Sequence, residues 1–146
     1  MASREYELMK QFYETSEIGH QFAKPLKEGA TAIIEFEGDP ETYTMVKHKG
    51  RSVLKPGKPK KAEIYFWFSK AAVDYLFNPP TTDPQEYVNR LLDCLLDKEK
   101  PVKMKLLTSI VNGWRMGYVA MLKLGGPRAI ATIAKLGIKI PARFLK

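Results

Sequence analysis

From residue 4 to residue 23, Leu8, Met9, Phe12, Tyr13 and Phe22 recur at spacings of three and four between charged positions, which predicts an amphipathic helix ended near Pro25. The pattern then changes to alternation. In TAIIEFEG, Ala32, Ile34 and Phe36 fall on one face; Gly38-Asp39-Pro40 supplies turn chemistry, and TYTMVKH follows as the second arm of a hairpin. SVLK at 52–55 reads as a short strand. The strongest strand signal is AEIYFWFS at 62–69, with Ala62, Ile64, Phe66 and Phe68 on one side and Glu63, Tyr65 and Trp67 on the other.

Ser69 is a natural N-cap for the helix KAAVDYLF, which must stop before Pro79. Asp83 caps the next helix, with Pro84 in its first turn and Glu86 spaced for a capping box. Along 84–98, Tyr87, Leu91, Leu92, Leu95 and Leu96 form an apolar stripe opposed by Asn89, Arg90, Asp93 and Asp97. VKMKLL returns to alternation, with Val102, Met104 and Leu106 against Lys103 and Lys105. Thr108 or Ser109 caps a helix to Leu124, ended by Gly125-Gly126-Pro127, and a short helix at 128–136 precedes an apolar, basic tail. Consecutive strands early in the chain argue for an α+β fold with antiparallel pairing. The late strand, arriving by a helical crossover, makes the sheet mixed.

The chain has 146 residues, the size of one domain spanning 1–146. No apolar run approaches the ~20 residues needed to cross a bilayer, and MASREYELMK lacks the apolar core of a secretory signal, so a cytoplasmic protein is expected. Cys94 is the single cysteine, which excludes an internal disulfide, and His20 and His48 do not form a zinc site with it at any usual spacing. The net charge of +8 is unevenly placed: residues 47–61 hold seven basic side chains and no acidic one, and residues 101–146 hold nine and none. Such blocks point to an anionic partner, nucleic acid or a lipid surface, or else to a solvated basic face that aids solubility.

Candidate chemistry is sparse. The chain has no G-x-S-x-G, Walker loop, G-x-G-x-x-G or HExxH. His20 and His48 read as surface histidines, and Cys94, flanked by Asp93 and Asp97, as an inert thiol. The expectation is a protein that is not an enzyme and needs no cofactor or metal. What the last third offers is a surplus of large apolar side chains: Ile110, Trp114, Tyr118, Met121 and Leu122 recur along 109–124, joined by Val111 and Leu124. Gly113 and Gly117 interrupt this helix at about 1 kcal/mol each relative to alanine, which calls for close packing or a bound ligand beside them. In the tail, Ile130, Ile133, Leu136, Ile138, Ile140 and Phe144 alternate with Arg128, Lys135, Lys139, Arg143 and Lys146. That segment fits an anionic membrane, a lid over a pocket or a last core helix.

The succession AEIYFWFSKAAVDYLF, PQEYVNRLLDCLLDKE and VKMKLLTSIVNGWRMGYVAMLKLGG, preceded by ATAIIEFEG, TYTMVKHKG and SVLKPGKPKKA, resembles the sterol carrier protein 2 (SCP2) family over residues 3–125. The resemblance implies a mixed five-stranded sheet covered on one face by helices. It implies an apolar tunnel for a fatty acid, fatty acyl or sterol-like ligand between the sheet and the C-terminal helices, with transfer between membranes or partners. Carried over by position, the tunnel wall is Phe66, Phe68, Leu91, Leu95, Met104, Leu106, Ile110, Trp114, Tyr118 and Met121. The chain departs from the family at Leu107-Thr108-Ser109, where a small polar turn with glycine is usual, and in ending Arg143-Phe144-Leu145-Lys146 rather than in a peroxisomal SKL. The alternative reading is a nucleic-acid-binding protein that uses the blocks 47–61 and 101–146, with Tyr43, Tyr65 and Trp67 as stacking platforms. A third is a close-packed accessory domain without a cavity.

Overall fold

The computed structural model describes residues 3–135. The elements run α1 (Arg4–Thr15), α2 (Glu17–Ala23), β1 (Thr31–Phe36), β2 (Tyr43–His48), β3 (Arg51–Pro56), β4 (Ile64–Phe68), α3 (Lys70–Phe77), α4 (Pro84–Leu96), β5 (Val102–Leu106), α5 (Ile110–Arg115), α6 (Tyr118–Leu122) and α7 (Gly126–Lys135), with a 3-10 turn at Lys123–Gly125. This is an α+β chain built on a five-stranded mixed sheet in the order β3-β2-β1-β4-β5.

Period-two alternation sets the register. Ala32, Ile34 and Phe36 pair with Ile64, Phe66 and Phe68 across the parallel β1–β4 ladder, and Ile34 lies opposite Tyr43 on β2. All of these are buried and form the inner face that the helices cover. Ile33, Tyr65 and Trp67 point the other way and stay half-exposed. The parallel pair is not made by the late strand, as the sequence suggests: β5 runs antiparallel to β4, because α3 and α4 together return the chain to the end it left. Parallel pairing arises instead at β1–β4. The β3–β4 connection, residues 57–63, travels back along the sheet over the outer side, where it forms a groove with Thr31, Thr44 and Val46.

The first helix of the sequence reading is two helices. Ser16 ends α1 and caps α2, its hydroxyl accepting from Gly19 N–H at 3.0 Å. A Cβ on Gly19 would stand 2.2 Å from the Phe12 carbonyl oxygen, so only glycine lets α2 fold back this closely. α1 also closes the free edge of β3: the Glu14 carboxylate accepts from Leu54 N–H at 2.9 Å, while Tyr6 and Lys10 donate to Leu54 O at 3.2 and 3.1 Å. Left bare, that edge would offer unpaired backbone groups to a second chain.

Two caps follow the sequence reading and one departs from it. Ser69 Oγ accepts from Ala72 N–H, and Asp83 from Gln85 N–H. Glu86 does not close a capping box; its carboxylate takes the Thr81 hydroxyl at 2.7 Å and Arg90 at 2.7 Å instead. The helix expected over 109–124 breaks into α5 and α6 at Gly117, whose φ is +96° and where a Cβ would lie 2.2 Å from Pro25 O. The tail residues 136–146 lie outside the described residues.

Candidate functional site

Where the inner sheet face meets the helices, a cavity of about 30 Å³ remains. Its floor is Ala32 and Ile34 of β1, Met45 of β2, Ser52 of β3, and Phe66 and Phe68 of β4. Over it stand Tyr13 of α1, Phe22 of α2, Leu26 and Ala30 of the following loop, Leu91 of α4, and Tyr118 and Met121 of α6. Two of the residues lining it, Ala30 and Ala32, are small.

The sequence-predicted wall divides on inspection. Phe66, Phe68, Leu91, Tyr118 and Met121 line the cavity. Leu95 and Met104 are half-buried at the margin of the core, and Leu106 is 37% exposed on the edge strand. Ile110 and Trp114 stand on α5, their side chains outside the described residues. Sequence reasoning missed the N-terminal contribution of Tyr13, Phe22, Leu26 and Ala30, and the strand contribution of Ala32, Ile34, Met45 and Ser52. Their apolar stripe and alternation were legible; their convergence on one space needs the strand order.

Glycine 113 and glycine 117 serve close packing. Gly113 lies against Leu106, whose Cδ1 would be 3.1 Å from a Cβ there, and Gly117 lets the backbone of Pro25 and Leu26 touch α6. Lys27 N–H donates to Met116 O at 3.0 Å across the same seam.

The polar groups of this region are neutral hydroxyls and one buried cation. Tyr13 and Tyr87 share a hydroxyl–hydroxyl hydrogen bond of 2.6 Å inside a cluster with Phe12, Phe22 and Phe77. Burial pushes both phenols up from their ordinary value. Tyr118 donates to Thr31 O at 3.0 Å, and burial raises its phenol as well. Lys47 corrects the sequence reading, which placed it in a surface block: it is 7% exposed and points inward. Its ammonium donates to Ala23 O at 2.7 Å and Leu26 O at 3.1 Å, the carbonyls at the end of α2, and burial lowers its pKa. Cys94 is buried, and burial more than its acidic neighbours pushes its thiol up to about 11.

Among the described residues no group of three His, Cys, Asp or Glu side chains could hold a metal ion. No helix among them is long and apolar enough to cross a membrane. On the outer face, Tyr65 donates to Glu35 at 2.6 Å and the Lys103 ammonium sits 4.8 Å over the Trp67 ring. Tyr43 is not a stacking platform: it is 1% exposed, on the inner face, stacked on Tyr6 at 4.2 Å.

No family model matches the chain. No curated protein matches it either. Among solved structures it is similar to one described as "UbiJ-SCP2 Ubiquinone synthesis protein", with a TM-score of 0.46 and 13% identity, over 82% of this chain and 86% of that one.

Proposed function

We propose that this chain is a binding protein rather than an enzyme, and that it holds an apolar, lipid-type ligand (fatty acid, fatty acyl or sterol-like) between the inner sheet face and α2, α4 and α6. The observation that carries this reading is the apolar cavity itself, walled by Phe22, Leu26, Ile34, Phe66, Phe68, Leu91 and Met121. Each methylene buried in such a space contributes about 0.8 kcal/mol, so retention needs only a dry surface of sufficient length. Catalysis needs titratable groups placed on a reacting centre, and the phenols lining this space stay neutral.

At about 30 Å³ the cavity alone has room for water-sized molecules. Apolar cavities that take a benzene ring are nearer ~150 Å³. A lipid chain therefore extends past it and moves part of the wall. The helical side can yield, because α5 and α6 are 6 and 5 residues long and meet at Gly117. Isolated helices that short hold their shape only by packing, so the wall shifts without breaking a long helix.

Exchange with an anionic membrane surface belongs to the same reading. Its support is the open sheet face, where Lys103 and Lys105 project from β5 and Lys55, Lys58, Lys60 and Lys61 line a groove of about 320 Å³ under the 57–63 connection. Gly57 ties that connection to β2 through Thr42 O and the Thr44 hydroxyl, which holds the lysines in place.

Protein purified without detergent should release an apolar molecule on denaturing extraction, detected by mass spectrometry, and the emptied protein should take up a fluorescent acyl probe. Ala32→Leu fills the cavity and should weaken uptake about tenfold, the loss of about two methylene burials. No extracted molecule together with no probe uptake would refute the reading.

A further inference from the structure

The cavity has one polar corner. Ser52 is 1% exposed, lies on the inner face and lines the cavity beside apolar neighbours. Among the described residues its hydroxyl makes no hydrogen bond to the protein, whereas the Tyr13 and Tyr118 hydroxyls at the cavity both have partners. Buried polar groups are nearly always satisfied, and one left open towards a cavity is a place where a partner belongs. A valine or alanine would fit this inward position of a strand better if packing were its only duty.

Directly opposite Ser52 in the β2–β3 ladder is Lys47. Residues so paired have Cβ atoms about 5 Å apart on the same face, so the lysine stem runs alongside the serine. Its ammonium ends on carbonyls of Ala23 and Leu26, and Leu26 is itself a cavity wall. Among the described residues no carboxylate is hydrogen-bonded to it, and Glu28 acts on it only through its charge. This corner of the space therefore has one unused donor at its wall, Ser52, and behind it a buried ammonium whose hydrogen bonds among the described residues all go to carbonyls.

We propose that Ser52 and Lys47 mark the seat of the ligand's polar head, and that this head is a carboxylate. The Ser52 hydroxyl donates to a carboxylate oxygen, and the Lys47 charge, fixed at the end of α2, favours the ionised form. The apolar remainder of the ligand leads away over Ile34 and Phe66 towards Leu91 and Met121. This inference rests on the proposed lipid-type ligand and narrows it from any apolar molecule to a fatty acid.

The test compares dodecanoic acid with its methyl ester, which keeps the chain and loses the charge, on the wild type, Ser52→Ala and Ser52→Thr. The wild type should prefer the acid. Ser52→Ala should weaken acid binding about tenfold or more, the worth of a hydrogen bond to a charged group, and leave the ester unchanged. Ser52→Thr retains the hydroxyl and should restore the preference. Because the hydroxyl has no partner among the described residues, Ser52→Ala should leave the thermal midpoint unlowered, which separates lost recognition from lost folding. Equal binding of acid and ester by the wild type, or an equal loss of both in Ser52→Ala, overturns the carboxylate seat while leaving the apolar site standing. Binding of neither overturns both.

Discussion

The hydrogen bond between Tyr13 and Tyr87 allows the packing of the helical layer to be tested against the roof of the cavity. Tyr13 is 4% exposed and Tyr87 0%, and their oxygens are 2.6 Å apart. Phe12 and Phe22 rings lie 4.8 Å from the Tyr87 ring, which puts the pair in aromatic surroundings. Tyr87→Phe removes one hydroxyl and strands the other, at a cost of about 1–3 kcal/mol for the unsatisfied group. Tyr13→Phe does the same from the other side. The double variant removes both oxygens together, keeps both rings and should come close to wild type. The single variants should lose roughly 2–12 °C in thermal midpoint, at about 2–4 °C per kcal/mol for a chain of this size. Urea unfolding with an unchanged slope gives the energies, and with a double variant near wild type the double-mutant cycle gives a coupling equal to the sum of the two single losses, about 2–6 kcal/mol. A double variant as unstable as the sum of the two single ones would show that the hydroxyls do not depend on each other, and the helical layer would need a different account.

Alkali should destabilise the fold before it damages the chain. Tyr13, Tyr87 and Tyr118 are raised above their ordinary value chiefly by burial, and Tyr43 and Tyr65 are pushed up to about 12, burial first and then Asp39 and Glu35. Above about pH 10 the unfolded chain releases phenolic protons that the folded chain keeps, so stability is full below that pH and falls as pH rises towards 12 and beyond. Denaturant midpoints followed with tyrosinate absorbance check this; a flat profile through that range would contradict the burial of these rings. For the membrane reading, Lys58→Ala with Lys60→Ala should reduce partition onto phosphatidylcholine vesicles containing phosphatidylserine by about 30-fold, at ~1 kcal/mol per lysine. Lys24→Ala with Lys98→Ala removes the same charge from exposed positions away from the groove and should matter much less. Equal losses would mean that net charge, not the groove, drives adsorption, and tight oligonucleotide binding with no vesicle binding would favour the nucleic-acid alternative.

Most elements could be read from sequence because their causes are local. Ser69 and Asp83 begin helices through their own side chains, and the alternation of β1 and β4 reflects one buried face. The misread boundaries have causes distant in sequence or hidden in packing. Nothing near Gly117 announces that Pro25 will lie against it, so α5 and α6 looked like one helix. Likewise Ser16 resembles any helical serine until Gly19 is seen under the Phe12 carbonyl. The capping box failed for a similar reason: Thr81 reaches Glu86 first, and Asp83 N–H takes the Thr81 hydroxyl instead.

Lys47 and Asn89 show which signal prevails when two compete. Lys47 opens a run of basic residues, and by composition it belongs to a surface block. By period it is in phase with Tyr43 and Met45, whose side chains face the helices. A slip of one residue to expose it would turn the whole inner row of β2 outward, which costs far more than desolvating one ammonium that finds carbonyl partners. The strand therefore keeps its register, and the long stem carries the charge to the end of α2. Asn89 is buried by the same logic on α4: its amide donates to Gln85 O and Gly125 O, each at 3.0 Å, which secures the turn before α7. Leu96, counted in the apolar stripe, is 51% exposed because α4 ends there. Periodicity thus fixed which way each side chain points, and charge or polarity decided only what partner it must find on arrival. Ser52 is an inward position whose hydroxyl finds no such partner among the described residues, as Asn89 Oδ1 finds none on α4.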